Sequence, residues 1–151
     1  MAQSLSKIYI HLIFHVKTTS PVIGEDDLSR VHSYIGQLVN VTGCRVVQVG
    51  GIKDHVHILF LLSKNESLSH IVEEVKRNSS RWIKTISEKY VKFEWQGGYG
   101  AFSVSQSVVD RTLEYIRHQK KHHLKLSFKD EYKEFLTLYG VKYDEQYLFC
   151  D

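Results

Sequence analysis

Two short stretches carry residue types whose spacing could do chemistry. Asp54-His55-Val56-His57 sets two imidazoles two positions apart. On an extended strand alternate side chains share a face, so the two rings point the same way, roughly 7 Å apart at Cα. Both can then converge on one cation. Imidazole suits Zn, Mn, Fe and Cu, and it accepts Mg²⁺ where oxygen ligands and phosphates complete the sphere. Any His-X-His in a strand has this geometry, so an ordinary polar pair on a sheet face is the competing reading. The second stretch is Tyr115-Ile116-Arg117-His118-Gln119. Tyr115 and Gln119 are four apart, so on a helix they lie about 40° from each other and project from one face. A tyrosine hydroxyl can attack a phosphodiester when a cation lowers its pKa and neutralises the phosphate. The Gln119 amide oxygen is a neutral hard ligand. It could complete a His-His-Gln site with positions left open for a phosphate oxygen. Tyr115 also reads as a half-buried aromatic flanking the apolar stripe Val109, Leu113 and Ile116, and the residues alone leave both roles open.

These residues need elements to hold them. Residues 4–17 alternate, with Ile8, Ile10, Leu12 and Phe14 on one face and Tyr9, His11, Ile13 and His15 on the other, a strand pattern. For His11 and His15 ordinary polar roles are preferred over supporting roles at a site. Residues 25–42 carry Leu28, Val31, Ile35, Leu38 and Val39 at helical spacing, after Glu25, Asp26 and Asp27, which suit a helix N-terminus. Gly43 is a natural stop. Residues 44–49 and 55–62 read as strands joined through Gly50-Gly51 and Lys53-Asp54. Val56, Ile58 and Phe60 then turn to the core, away from the histidines. Ser67 opens a second helix, with Leu68, Ile71, Val72, Val75, Trp82, Ile83 and Ile86 inward. Residues 91–95 read as a short fourth strand, followed by Gly97-Gly98-Tyr99-Gly100 and an extended 101–105. Residues 108–122 form the tyrosine-bearing helix, and 128–139 a short final helix. The order βαββαβ is that of an α+β, ferredoxin-like antiparallel sheet with helices on one face, plus the two C-terminal helices.

The 151 residues suit a single domain, 1–151. With 42% hydrophobic and 25% charged residues, the chain is neither disordered nor low-complexity. Its longest apolar run, 58–62, is far too short for a bilayer. No secretion signal is visible and Cys44 and Cys150 lie far apart, so a cytoplasmic location with reduced thiols is expected. The net charge of +3 averages an acidic first helix and two basic segments. Residues 76–92 hold Lys76, Arg77, Arg81, Lys84, Lys89 and Lys92 against one acid. Residues 117–129 hold Arg117, Lys120, Lys121, Lys125 and Lys129 and no acid. Such segments attract a phosphate backbone, and Lys76, Arg77, Arg81, Lys84, Arg117, Lys120 and Lys121 are the candidate DNA contacts. Trp82 and Trp95 are better placed in the core than as stacking platforms.

The assembled chain resembles the single-tyrosine HUH transposases of small bacterial insertion sequences that move as single-stranded DNA. The likeness runs nearly end to end: residues 9–14, 54–59, 76–82, 95–105, 115–119, His122-His123, Ser127-Phe128 and 139–141. The histidine pair alone is weakly specific. Together with Gly97-Gly98-Tyr99-Gly100-Ala101-Phe102-Ser103 and the Tyr-x-x-x-Gln helix it is strong. Gln106 departs from the family, which often has proline there, at a helix start rather than at a chemical group. The resemblance implies that His55, His57 and Gln119 hold Mg²⁺ or Mn²⁺. It implies that Tyr115 attacks a phosphodiester of single-stranded DNA to give a 5′-phosphotyrosine and a free 3′-hydroxyl, before strand transfer without a nucleotide cofactor. It also implies a homodimer that recognises hairpins near the element's ends, and a hinge at Gly97, Gly98 and Gly100. The alternatives are a hairpin-binding regulator that no longer transposes, and a metal-dependent hydrolase of small phosphoesters that needs no Tyr115.

Overall fold

The computed structural model describes residues 2–150. Four strands, β1 (Tyr9–His15), β2 (Arg45–Ile52), β3 (His55–Leu61) and β4 (Gly100–Val104), form one antiparallel sheet in the order β2-β3-β1-β4. Helices α1 (Glu25–Val41) and α2 (Leu68–Ile86) supply the two crossovers. This is the expected βαββαβ arrangement, with the histidine-bearing strand second from one edge.

Alternation decides what each face does. Leu12, Phe14, Val56, Ile58 and Phe60 are buried against Val31, Ile35 and Val39 of α1 and Ile71, Val75 and Ile83 of α2. The opposite face carries His11, Ile13, His15, His55, His57 and Leu59, all buried. Its cover is the C-terminal third of the chain: α3 (Val109–Arg117), a short α4 (Gln119–His122), α5 (Phe128–Leu138) and a one-turn α6 (Glu145–Leu148). Val109 and Ile116 pack on Leu59 and Val104, and Phe128, Tyr132 and Leu136 pack on Ile13 and Phe102. The described residues contain no helix long and apolar enough to cross a membrane.

Several boundaries differ from those expected. The fourth strand is Gly100–Val104, not 91–95. Residues 88–90 make a 3₁₀ turn, and of the segment after it Trp95 alone bridges to Val16. Ser87 caps that turn by accepting from the Lys89 backbone, and the buried Tyr90 and Phe93 anchor the segment as a turn. Gly50 and Gly51 lie within β2, and the hairpin turn is Lys53-Asp54 alone. Gly50 is demanded by packing, because a Cβ there would lie 2.4 Å from the Ile116 carbonyl oxygen. Its bare backbone lets the end of α3 press on the sheet. The tyrosine-bearing helix is also interrupted at His118, where φ −105 and ψ 27 leave the helical region. Gln119 therefore opens α4 rather than continuing α3.

Candidate active site

The site lies where β3, the α3–α4 junction and α5 meet. His55 and His57 share a face, as their spacing requires, and both are fully buried. Each ring is oriented from behind. His55 Nδ1 lies 2.8 Å from Asp54 Oδ1, and His57 Nδ1 lies 2.8 Å from His11 Nε2. Both Nε2 atoms face inward. Holding the outer ring nitrogen with a hydrogen-bond partner is the usual way to aim the inner one. Contrary to the ordinary polar role expected for it, His11 is buried and its ring is the support of His57.

The centre of the cluster is Glu131, from the first turns of α5. Its side chain is 1% exposed. Oε1 lies 3.1 Å from His57 Nε2, 3.4 Å from His55 Nε2 and 3.2 Å from His123 Nε2. Oε2 accepts from the Tyr115 hydroxyl and from Gln119 Nε2, the latter at 3.2 Å. Gln119 Oε1 in turn lies 3.0 Å from both His55 Nε2 and His123 Nε2. The Tyr115 hydroxyl is also 3.2 Å from His122 Nε2. The structure thus brings Tyr115, His55, His57 and Gln119 together around one carboxylate.

Charge and burial set the protonation of the group. Burial opposes charge on His55, yet Asp54 and Glu131 outweigh it and hold this imidazole up at about 9. Burial dominates at His57 and pushes it down to about 4, against the pull of Glu131. Burial likewise works against charge on Glu131, but hydrogen bonds from His55 and His57 keep its carboxyl well below the usual range. Burial, then the Glu131 hydrogen bond and charge, push the Tyr115 hydroxyl well above an ordinary phenol.

The donor set fits a divalent cation. His55, His57 and Glu131 each offer a ligand atom, and these atoms lie within 4.8 Å of one another. Neighbouring ligands at about 2.1 Å from a cation are spaced roughly 3.0 Å apart in an octahedron and 3.4 Å in a tetrahedron. The distances from Glu131 Oε1 to the Nε2 atoms of His57 and His55, 3.1 and 3.4 Å, and from Gln119 Oε1 to His55 Nε2, 3.0 Å, match that spacing.

Glu131, His122 and His123 were missed as site residues. The signal for Glu131 was present: Phe128, Tyr132, Phe135 and Leu136 form an apolar stripe on α5, and Glu131 falls on it. An acid on a buried stripe calls for a partner. His122 and His123 fall in the basic segment and among the stretches that carry the family likeness, but no spacing in the sequence assigns them a place at the site.

The expected DNA contacts do not form one group. Lys76, Arg77, Arg81 and Lys84 sit on α2, which packs on the sheet face opposite the histidines. Lys76 is half-buried and its Nζ donates to the Gln96 and Gly98 carbonyls, both at 2.7 Å, tying down the Gly97-Gly98 segment. Arg77 pairs with Glu73 and Glu74. Arg117 and Lys120 line a groove of about 260 Å³ with His32, Gln48 and Gln119, so they adjoin the site. Lys121 follows them, exposed, on α4.

The family profile described as transposase, IS200-like, matches residues 4–119. The chain belongs to the IS200-like transposase family. Two solved structures share the fold. A Deinococcus radiodurans R1 protein assigned as a transposase is 19% identical, with a TM-score of 0.60, over 79% of this chain and 98% of that one. A REP-associated tyrosine transposase bound to a REP hairpin is 10% identical, with a TM-score of 0.58, over 82% of this chain and 74% of that one. No curated protein matches the chain.

Proposed function

We propose that this transposase is a metal-dependent, HUH-type strand transferase acting on single-stranded DNA, with Tyr115 as nucleophile. The observation that carries the reading is the convergence of the Tyr115 hydroxyl and the ligand atoms of His55, His57 and Gln119 on the Glu131 carboxylate. Nucleophile and cation-binding groups meet in one cluster, as metal-assisted covalent phosphoryl transfer requires.

His55, His57, Gln119 and Glu131 would hold Mg²⁺ or Mn²⁺. Such an ion supplies Lewis-acid polarisation of a phosphate oxygen and charge neutralisation when bound. Asp54 and His11 keep the two imidazoles aimed. The Tyr115 oxygen forms a bond to phosphorus while the bond from phosphorus to the 3′-oxygen breaks, giving a 5′-phosphotyrosine and a 3′-hydroxyl. Glu131 and His122, both at the hydroxyl, are the groups able to take its proton. Attack by another 3′-hydroxyl reverses the step and joins strands, so no nucleotide cofactor is needed. The DNA carries hairpins at the element's ends, and a homodimer holds two such ends. Arg117, Lys120 and Lys121 would contact the strand beside the site, and the α2 basic residues more distant phosphates.

The test is adduct formation. Oligonucleotides carrying the inverted-repeat flanks of the coding region are incubated with the protein and Mn²⁺, then resolved under denaturing conditions. The wild type should become covalently attached. Tyr115→Phe should form no adduct and still bind the hairpin. An adduct that persists in Tyr115→Phe overturns the assignment of the nucleophile. Hairpin binding with no adduct on either flank would make the protein a DNA-binding regulator.

A further inference from the structure

We propose that the cavity beside the histidine pair is a nucleobase pocket, which takes one unpaired base of the DNA strand and selects a base carrying an exocyclic amino group. The inference rests on the strand-transferase reading above and adds a specificity determinant to it.

The cavity, of about 290 Å³, is lined by His15, Lys17, Asp54, Phe128, Lys129 and Phe149 among others. That is the small end of ligand cavities, and it suits a single ring system rather than a hairpin stem. Two residues join it to the site. Phe128 stacks on His55, with centroids 4.3 Å apart and planes 25° apart. Asp54, the support of His55, is itself part of the lining. A strand whose reacting phosphate lies at His55 thus has this cavity on the far side of one aromatic ring.

The walls fit a base and the charges fit its phosphate. Phe149 meets Phe128 at 74°, with centroids 6.4 Å apart, so the two rings form a corner. The His15 ring lies 5.2 Å from Phe128 and 5.9 Å from Phe149. Such walls favour a flat ring through stacking and edge-to-face contact, whatever the base. The Phe149 end is anchored, because Gln96 Nε2 donates to the Cys150 carbonyl at 2.6 Å. Lys129 is exposed, with Nζ 5.3 Å from the Phe149 centroid, and Lys17 Nζ pairs with Glu94 at 2.7 Å. Each ammonium has three hydrogens, so one carboxylate partner does not exhaust Lys17. The two cations supply the attraction that a phosphodiester needs.

Asp54 supplies the selectivity. Its Oδ1 lies 2.8 Å from His55 Nδ1, yet the side chain stays 40% exposed. An ionised carboxylate has lone pairs for several donors and none of its own hydrogens to give. It therefore accepts from the amino group of cytosine and repels the carbonyl oxygen that uracil or thymine carries at the same ring position.

Short oligodeoxycytidine and oligodeoxyuridine test this, since they differ at that edge of the ring alone. Fluorescence anisotropy in mildly alkaline buffer with EDTA compares their binding to the intact protein. Oligodeoxycytidine should bind more tightly by about fivefold or more. Asp54→Asn, whose amide both donates and accepts, should bring the two within about twofold of each other. Phe149→Ala should weaken both by about fivefold or more. On irradiation, an oligonucleotide containing iododeoxycytidine should cross-link to Phe128 or Phe149, read by peptide mass spectrometry. Equal binding of the two oligonucleotides by the wild type overturns the proposal whether or not the variants fold. So does a preference that persists in Asp54→Asn, an affinity unchanged in Phe149→Ala, or cross-links confined to α2 or α3. With EDTA no strand is cut, so these results and adduct formation by Tyr115 can fail separately.

Discussion

The two faces of the sheet are made by the same strands and differ in almost everything else. Alternate residues of β1 and β3 send Leu12, Phe14, Val56, Ile58 and Phe60 to one side and His11, His15, His55 and His57 to the other. The first face is apolar throughout and meets the amphipathic α1 and α2. The second buries imidazoles and a carboxylate beneath α3 to α5 and must supply each with a partner. Burial on the first face yields stability through area removed from water. On the second it yields directionality, because a polar group without water is held by its few neighbours. Lesions on the two faces should therefore fail differently.

The largest effect should come from the apolar face. Phe60 is fully buried in the core between sheet and helices. Phe60→Ala should destabilise by about 3–5 kcal/mol, through lost transfer energy and the cavity left behind. Urea unfolding would read this directly. The stabilisation added by saturating Mn²⁺ should survive in the variant. If it vanishes as well, the two faces are not independent.

A smaller effect of the opposite kind is expected at Glu131. An ion at 100 times its dissociation constant stabilises the fold by about 2.7 kcal/mol when it binds only the native state. Glu131→Gln should abolish most of that gain, since it removes the charge facing three imidazoles. The check is the urea midpoint with Mn²⁺ against that with EDTA, in wild type and variant. An undiminished gain in Glu131→Gln would move the cation away from the carboxylate.

The contrast between the faces also explains what the sequence revealed. Helices α1 and α2 show regular apolar spacing because a single partner surface demands it, and β1 and β3 alternate cleanly for the same reason. The fourth strand is different. Val91 to Trp95 looks extended, but Phe93 and Trp95 are apolar because they pack into the core from a turn. Among the site residues, His55 and His57 are two apart and Tyr115 and Gln119 four apart, so local periodicity displays each pair. Glu131 lies 74 residues from His57, and His11 lies 46 from it. No periodicity links such positions, and only the folded sheet, with α5 laid across it, brings them together. His123 is hidden further, since it sits in a turn within a basic segment.

The mildest test separates two histidines that share one carboxylate. His57 is backed by a neutral-type partner, His11, and burial lowers it to about 4. His55 is backed by Asp54, and together with Glu131 this raises it to about 9 despite burial. A raised imidazole stabilises the fold fully below the unfolded value near 6.5 and loses that contribution as pH rises through 9. A lowered imidazole costs stability as pH falls from 6.5 toward 4, because the unfolded chain takes up the proton first. With EDTA present, the raised His55 and the lowered His57, joined on the acid side by His11 and His32, should place a stability maximum near pH 6.5, with one limb on each side. Asp54→Asn removes only the outer partner of His55. Its alkaline limb should move toward lower pH while the acid limb, set by His57 together with the likewise lowered His11 and His32, keeps its place. Urea midpoints from pH 4 to 9 would show this. If both limbs moved together, the pair would be titrating as one unit through Glu131, and the separate supports of the two rings would not matter.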